Sequence, residues 1–196
     1  FLQGLSHARK KKAQKLKINT IESSFNNYKI TNQEDLDRFK AEHEKINMRV
    51  GIGFDVHRFQ KGNKVRLFGL DIPYNKSLAG HSDADVGLHA ITDAIYGSLG
   101  LEDIGYYFNP EDSKWKDIDS SVFLEHAKNK LIEQNVKINN LDIIVICEEP
   151  NISNYKKIIK ESISTLLSIE IRKISLKATT TEGLGFTGRK EGIAVQ

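Results

Sequence analysis

The chain has 196 residues, of which 39% are hydrophobic and 28% are charged, and its formal net charge is +3. This length and composition are ordinary for a globular protein and fit one domain, or one domain with an appendage. The longest apolar run, residues 143–147, has the length of a strand, which excludes a membrane-spanning helix. The single cysteine, Cys147, excludes an intrachain disulfide and a cysteine-based zinc site.

The positive charge is concentrated in residues 1–47, which contain ten Lys or Arg and six Asp or Glu, a net of +4. A basic run between Arg9 and Lys17 is followed by too few apolar residues to build a core. We therefore predict a mostly disordered extension over 1–47 and a folded domain over 48–196. We interpret the basic run as a targeting remnant. An inert tail and a nucleic-acid-binding arm are the alternatives, and the second lacks interleaved aromatic residues, so no nucleic-acid partner is expected.

Apolar periodicity and turn residues from Met48 onward predict a regular succession of elements. In chain order they are strands over 49–59 and 65–72, helices over about 83–99 and 120–134, a strand over 141–147, a helix over about 153–167, and strands over 174–180 and around Ile193. Ser82 or Asp83 is expected to cap the first helix, and Gly100 to end it. The order predicts an α/β sandwich in which helices cover one face of a mixed sheet.

Two residues of the first predicted strand have the chemistry of metal ligands. Asp55 and His57 are two positions apart, so both side chains point to the same face of the strand. A carboxylate beside an imidazole makes half of a metal site. A salt-bridged pair at the end of a strand is the alternative.

The first predicted helix carries a polar stripe on an otherwise apolar surface. Asp85, His89 and Asp93 are spaced i, i+4 and i+8, which places them on one side of the helix. A solvated face explains this stripe poorly because it lacks Lys and Glu. We predict that His89 is a metal ligand and that a neighbouring carboxylate, Asp85 or Asp93, orients its ring. With Asp55 and His57 it would give three protein ligands and one open position, as in a catalytic zinc site.

Two segments have features of phosphate-binding sites. His81 and Ser82 precede the first helix, whose N-terminus favours anions, although a plain loop residue and an ordinary N-cap are the alternatives. Residues 177–189 contain three consecutive threonines, Glu182, a glycine-rich turn and Arg189. Their oxygens suit phosphates and a hard divalent cation, and a threonine-rich strand with a flexible hairpin is the alternative. No Walker or dinucleotide-binding motif is present.

The residues at 53–57, 81–94, 103–105 and 178–189 occur in the order and spacing of a known family. From Met48 to Gln196 the chain resembles the 2-C-methyl-D-erythritol 2,4-cyclodiphosphate synthases of the non-mevalonate isoprenoid pathway. The resemblance implies a homotrimer with active sites between subunits. It also implies a lyase that converts 4-diphosphocytidyl-2-C-methyl-D-erythritol 2-phosphate to the 2,4-cyclodiphosphate and releases CMP.

The resemblance further implies a role for individual residues. Asp55, His57 and His89 would bind Zn²⁺, and Glu182 would bind Mg²⁺ or Mn²⁺ together with the diphosphate. His81 and Thr180 would stabilise the transition state, and Ser82 would contact phosphate. The remaining substrate contacts would come from Asp103, Gly105, Phe108 and Asp112 for the methylerythritol part, from Cys147, Pro150, Asn151, Ile152, Thr179 and Thr181 for cytidine, and from Phe186 and Arg189 near the diphosphate or the trimer axis.

Two local departures from the family pattern concern substrate binding. Asn151 stands where the family commonly has lysine, and the loop over 108–112 has its proline at a different position. A metal-dependent phosphohydrolase acting on a nucleotide-linked substrate is the alternative enzyme, and a trimeric binding protein is the non-catalytic one. Because eukaryotes keep this pathway in plastids, the basic leader leads us to expect a plastid-type organelle, an apicoplast or chloroplast.

Overall fold

The computed structural model describes residues 30–43 and 48–196 and forms two compact units, with the boundary after Met48. In the first unit, helix α1 spans Gln33–His43. Its start is capped reciprocally, since Asn32 Oδ1 accepts from the Asp35 amide while Asp35 Oδ2 accepts from the amides of Thr31 and Asn32. The sequence predicted no element here. The basic run at 9–17 lies outside the described residues.

The second unit, which the structure describes throughout, begins with four short strands, continues with three helices and then alternates between strands and helices. They are β1 (Asp55–Lys61), β2 (Lys64–Leu67), β3 (Leu70–Pro73), β4 (Lys76–Leu78), α2 (Val86–Leu99), α3 (Ile104–Tyr107), α4 (Ser121–Glu133), β5 (Leu141–Ile146), α5 (Lys156–Leu167), β6 (Ile174–Thr179), α6 (Gly185–Gly188) and β7 (Gly192–Val195). Single 3-10 turns occupy Ser113–Trp115, Ile152–Tyr155 and Ile171–Lys173.

Five strands form one mixed sheet in the order β4-β1-β7-β5-β6. Strands β5 and β6 are parallel, and the other neighbours are antiparallel. Buried Ile143 and Val145 alternate with more exposed residues along β5, and Lys177 of β6 is exposed on the opposite face. Helix α2 packs on β1 and β7, α5 packs on β6, and α4 contacts both helices. The predicted α/β class, with a mixed sheet and a layer of helices, is confirmed.

The predicted strand over 65–72 is wrong as a single strand. It is a hairpin, β2–β3, in which Leu67 pairs with Leu70 across a two-residue turn. Phe68 and Gly69 in that turn both have positive φ, 53° and 78°, as a type I′ turn requires. Alternation alone did not reveal the turn because only its second residue is glycine.

The predicted first strand over 49–59 is also corrected, because β1 begins only at Asp55. Within the described part of the chain, residues 49–54 pair with no strand, and Gly51 and Gly53 lie along α2 instead. A Cβ atom on Gly51 would come within 1.8 Å of the Ala94 carbonyl oxygen, and one on Gly53 equally close to that of Ala90. With the glycines against the helix, the alternating Val50 and Ile52 are exposed.

Helix α2 starts later than predicted, with Asp85 as its N-cap in place of Ser82 or Asp83. Helix α5 likewise starts at Lys156, after a 3-10 turn. The short elements β4, α3 and α6 were not predicted, since three or four residues carry too little periodicity. Across residues 30–43 and 48–196, no helix is both long enough and apolar enough to cross a membrane.

Candidate metal centre and substrate pocket

Asp55, His57 and His89 converge as the sequence predicted. His57 Nε2 lies 2.9 Å from Asp55 Oδ2 and 3.2 Å from His89 Nδ1, and His89 Nδ1 lies 3.0 Å from the same carboxylate oxygen. Strand β1 supplies the first two residues and α2 the third. All three side chains are largely shielded from solvent, with 12%, 13% and 27% of His57, His89 and Asp55 exposed.

The hydrogen-bond partners of His57 show which of its ring nitrogens is available to bind a cation together with Asp55 and His89. Its Nδ1 lies 2.8 Å from the carbonyl oxygen of Ala79. A carbonyl only accepts, so Nδ1 carries a hydrogen, and Nε2, the nitrogen that faces Asp55 and His89, can offer its lone pair to a cation bound between them. The second carboxylate oxygen of Asp55 accepts from the Val56 amide at 2.8 Å, which fixes the orientation of that ligand as well.

The spacing of Asp55 Oδ2, His57 Nε2 and His89 Nδ1 fits a divalent cation. Tetrahedral zinc with bonds of 2.0–2.1 Å separates its ligand atoms by about 3.3 Å, close to the spacing seen here. Burial alone would raise the pKa of Asp55, but hydrogen bonds and charge interactions with His57 and His89 lower it well below its usual range. Burial would lower the pKa of His57, and its interactions with Asp55 raise it instead. The cluster therefore favours positive charge at its centre.

A cavity of about 820 Å³ opens beside Asp55, His57 and His89. It is lined by the predicted phosphate-contacting residues His81 and Ser82 and by the predicted sugar-contacting residues Gly105 and Phe108. Phe108 packs against Trp115 and Phe123, with ring centroids 4.8 and 4.6 Å away, and gives the cavity an apolar wall. Candidate metal ligands, polar groups and an apolar wall thus meet in one pocket.

The two carboxylates expected to orient the His89 ring lie elsewhere. Asp85 is fully buried and accepts hydrogen bonds from the amides of Phe68, Gly69 and Leu88, which joins the β2–β3 turn to the start of α2. Asp93 accepts from the amide of Ile104 at 3.0 Å and lines the pocket. Their stripe has a structural origin, since each carboxylate satisfies backbone amides.

The group that contacts the far nitrogen of His89 was missed by sequence reasoning. His89 Nε2 lies 2.8 Å from Ser120 Oγ and 3.2 Å from Ser82 Oγ. Ser120 in turn donates to Asp83 Oδ1. In the sequence, 119–121 gives the signal of a helix start, and nothing in it indicates contact with a residue 31 positions away.

Two further predicted contacts lie in the loop that borders the pocket. Asp103 is the N-cap of α3, accepting from the Tyr106 amide at 3.0 Å. Asp112 accepts from the Lys114 amide and forms a 2.8 Å ion pair with its ammonium. Both carboxylates shape the loop, and neither is part of the pocket lining.

The threonine-rich segment forms a second cluster at the end of β6. Thr180 Oγ1 donates to Glu182 Oε1 at 2.8 Å, and both residues are exposed. Glu148, which lies within the predicted cytidine-contacting range 147–152, accepts from the amides of Thr181 and Gly183 at 3.0 and 3.4 Å. Glu182 has a positive φ of 53°. The turn therefore holds the carboxylate of Glu182 and the hydroxyl of Thr180 outward on a fixed backbone.

The predicted cytidine-contacting residues lie around the same end of the sheet. Cys147 is buried with its thiol against the Pro150 carbonyl, and Ile152 is also buried. Asn151 caps the following 3-10 turn by accepting from the Ser153 amide. Thr179 ends β6, Thr181 bonds to Thr187, and Phe186 is exposed. Arg189 forms two hydrogen bonds to Glu191, so its charge is partly neutralised.

The two clusters lie apart within one chain. In the sheet Asp55 pairs with Val195, Val195 with Val145, and Val145 with Ala178. Three strand spacings of about 4.8 Å therefore separate Asp55 from the end of β6, about 14 Å in total. Two cations that act on the same phosphates lie within about 4 Å of each other in known two-metal sites. One chain alone does not bring these clusters together.

Comparison with known proteins agrees with this geometry. Residues 48–196 match the sequence model of the YgbB family. The chain belongs to this family. It is 48% identical over 149 residues to 2-C-methyl-D-erythritol 2,4-cyclodiphosphate synthase of Cereibacter sphaeroides, covering 76% of this chain and 94% of that protein. It is 47% identical over 175 residues to the bifunctional enzyme IspD/IspF of Gluconobacter oxydans, covering 89% of this chain but 45% of that protein.

Solved structures of the YgbB family resemble the fold. IspF of Plasmodium falciparum, described as a CDP complex, superposes with a TM-score of 0.66 at 37% identity and covers 75% of this chain and 90% of its own. Bifunctional IspDF from Campylobacter jejuni gives a TM-score of 0.70 at 36% identity, over 94% of this chain and 50% of its own. The chain thus spans about half the length of the bifunctional relatives and nearly all of the stand-alone synthases.

The expectation of a plastid-type organelle is wrong. The curated relatives at 45–50% identity come from bacteria such as Gluconobacter oxydans, Dinoroseobacter shibae and Wolbachia pipientis, which have no plastids. The match to the Gluconobacter enzyme covers more of the chain than the 149 residues of the family region, so it includes residues before Met48. Part of the predicted extension therefore has counterparts in a bacterial bifunctional enzyme.

Proposed function

We propose that residues 48–196 of this YgbB-family chain convert 4-diphosphocytidyl-2-C-methyl-D-erythritol 2-phosphate to 2-C-methyl-D-erythritol 2,4-cyclodiphosphate with release of CMP. The observation that carries this is the convergence of Asp55, His57 and His89 beside a pocket lined by His81, Ser82 and Gly105. The synthases that match the chain bear the name of this activity. They do not favour the phosphohydrolase alternative.

The reaction brings one phosphate anion onto the phosphorus of another, so charge repulsion is the main barrier. Because the nucleophile is already ionised, no strong general base is required. Asp55, His57 and His89 would hold Zn²⁺, which when bound supplies Lewis-acid stabilisation and a template for phosphate oxygens. Ser82 and His81, at the rim of the same pocket, would donate to oxygens that gain charge in the transition state.

The second cluster would bind the diphosphate and the nucleotide. Glu182 would bind Mg²⁺ or Mn²⁺, with Thr180 beside it as a donor to the transferring phosphate. Thr179, Thr181 and residues 147–152 would contact cytidine, and the relative crystallised with CDP supports a cytidine nucleotide as ligand. Asp103, Gly105 and Phe108 would hold the methylerythritol part. Asp112, Phe186 and Arg189 remain expected contacts at the edges of the two clusters.

A homotrimer would unite the two clusters, with the metal centre of one subunit facing the nucleotide cluster of the next. The separation of about 14 Å across the sheet supports an active site between subunits. So does the exposed apolar row at Val50, Ile52, Phe54 and Val56, of which between 38% and 81% of each residue is accessible. A trimer of the 22.2 kDa chain would have a mass of about 67 kDa, which light scattering measures directly.

The test is incubation of the chain with the cytidine-containing substrate and Mg²⁺, followed by chromatography of the products. We expect CMP and the cyclic diphosphate in equal amounts, whereas release of inorganic phosphate would identify a hydrolase. His89→Ala should lose both zinc and turnover, while His126→Ala, which removes a histidine outside the cluster, should retain zinc. Full turnover by a zinc-free His89→Ala variant would contradict the proposal.

A further inference from the structure

We propose that Ser120, held by Asp83, is a positioning residue for the metal centre. It fixes the His89 ring with a hydrogen on Nε2, so that the lone pair of Nδ1 is available to a cation bound between His89, Asp55 and His57. This inference depends on the proposed metal centre but not on the identity of the substrate. It replaces the role that the sequence assigned to Asp85 and Asp93.

Ser120 occupies the N-cap position of α4 without capping the helix. A serine at this position usually accepts a hydrogen bond from an amide of the first turn, but the Ser120 hydroxyl makes no such bond. The neighbouring Asp119 accepts from the Ser121 amide instead. Ser120 is fully buried, and its hydroxyl faces His89 and Asp83. The hydroxyl is therefore committed to these side chains rather than to its own helix.

The direction of each hydrogen bond follows from the chemistry of the groups. The carboxylate of Asp83 only accepts, so the single hydroxyl hydrogen of Ser120 is donated to it. The oxygen of Ser120 can then only accept from His89, which requires a hydrogen on Nε2. A neutral imidazole with its hydrogen on Nε2 has its lone pair on Nδ1, the atom 3.0 Å from Asp55 and 3.2 Å from His57.

Asp83 is itself held by a cation and by the backbone. Arg66 Nε lies 3.4 Å from Asp83 Oδ2, while another nitrogen of the guanidinium lies 3.0 Å from Asp119. The Asp83 amide donates to the Ile118 carbonyl, which ties the loop before α2 to the loop before α4. These two contacts keep the carboxylate of Asp83 beside Ser120.

Ser82 is the other hydroxyl near His89, and the geometry gives it a different part. Its Oγ is 3.2 Å from His89 Nε2, longer than the 2.8 Å of Ser120, and 3.3 Å from Ser120 Oγ. Among the residues that the structure describes, no carboxylate accepts the hydrogen of Ser82, so its hydroxyl can either donate or accept. Ser82 alone would therefore leave the tautomer of His89 open, and its hydrogen remains available for a ligand in the pocket.

The zinc affinity of the full chain tests the positioning role of Ser120, since the measurement requires no substrate. Ser120→Ala should bind Zn²⁺ about 10- to 100-fold more weakly in competition with a chromogenic chelator, the range known for groups that orient metal ligands. Its Co²⁺-loaded form should show an altered visible spectrum. Ser120→Thr, which keeps the hydroxyl, should restore most of the affinity. Ser164→Ala removes a serine hydrogen bond to the Ile169 carbonyl away from the site and should change neither readout.

Asp83→Asn provides a second test that preserves the shape of the site. The amide can donate to Ser120, which frees the serine hydrogen to point at His89 Nε2 and favours the wrong tautomer. The zinc affinity of Asp83→Asn should therefore fall as well. This variant tests the role of Ser120 even if Ser120→Ala does not fold. Folded Ser120→Ala or Asp83→Asn protein with wild-type zinc affinity and an unchanged Co²⁺ spectrum would overturn the inference. Failure of the wild-type chain to bind zinc would overturn both this inference and the proposed metal centre.

Discussion

Gly53 lies directly against the backbone of Ala90, so closely that a Cβ atom on it would come within 1.8 Å of the Ala90 carbonyl oxygen. Gly53 is two residues before Asp55, and Ala90 follows His89. The contact therefore sets the distance between the segment that leads into β1 and the helix that carries the third ligand. The absence of a side chain at one position brings the two halves of the metal centre together.

Gly53→Ala is expected to destabilise the domain by about 2–3 kcal/mol, because the added methyl overlaps helix backbone that cannot move aside. Zinc affinity should fall with it, since Asp55 is displaced from His89. Gly97→Ala is the matched control, because its Cβ would have as its one close neighbour the Ile52 carbonyl oxygen at 3.8 Å and would improve helix propensity. Urea denaturation and chelator competition measure both effects. Equal stability of the two variants would contradict this account of the packing.

Asp85→Ala should destabilise the domain by about 3 kcal/mol or more, because three buried or partly buried amides, those of Phe68, Gly69 and Leu88, would lose their acceptor. Asp85→Asn keeps one acceptor oxygen and should lose less. His89→Ala, by contrast, should unfold at nearly the wild-type temperature when both proteins are free of metal. Thermal unfolding in a chelating buffer distinguishes the structural carboxylate from the ligand. An Asp85→Ala variant that unfolds at the wild-type temperature would contradict the structural role of Asp85.

Glu182→Gln should weaken the dependence of turnover on added Mg²⁺ while leaving tightly bound zinc in place, because the two clusters are separate within each chain. Glu170→Gln, which removes an exposed carboxylate paired with Arg172, is the control and should behave as wild type. Turnover against Mg²⁺ concentration and zinc content of the same samples are the two measurements. Parallel loss of both metals from Glu182→Gln would argue against distinct sites.

Cys147 should make stability fall at alkaline pH. Burial, with a smaller contribution from the charge of Glu148, raises the pKa of the thiol from 9.0 to about 12 in the folded chain. Between these values the folded state keeps a proton that the unfolded state releases, so the stabilisation present below pH 9 is lost as the pH rises. The greatest slope is about 1.4 kcal/mol per pH unit.

Urea denaturation of wild type and Cys147→Ala at several pH values from 8 to 11 isolates this effect, because the other titrating groups are common to both. The difference in unfolding free energy between them should shrink as the pH rises. A difference that stays constant over this range would show that the thiol ionises as readily in the folded chain as in the unfolded one.

The sequence by itself determined the class of fold, the three longer helices and the three residues that converge in the candidate metal centre. Asp55 and His57 share a strand face because alternate residues always do, and His89 lies on an amphipathic helix whose periodicity extends over fourteen residues. Such local patterns do not depend on distant contacts. The family resemblance, carried by motifs in order and spacing, was confirmed for the same reason.

Only the tertiary structure decided how the remaining polar groups are used. Asp85, His89 and Asp93 form one stripe in the sequence, yet the two carboxylates bind backbone amides and the histidine bonds to Ser120. The position of Ser120 in the sequence is that of a helix cap. Its hydroxyl contacts His89 only because α4 packs beside α2. The β2–β3 turn and the late start of β1 likewise depend on contacts with distant elements. Asp85 binds the amides of the turn, and α2 packs against the segment before β1. A side chain's hydrogen-bond partner is set by packing between elements distant in sequence, which residue spacing does not encode.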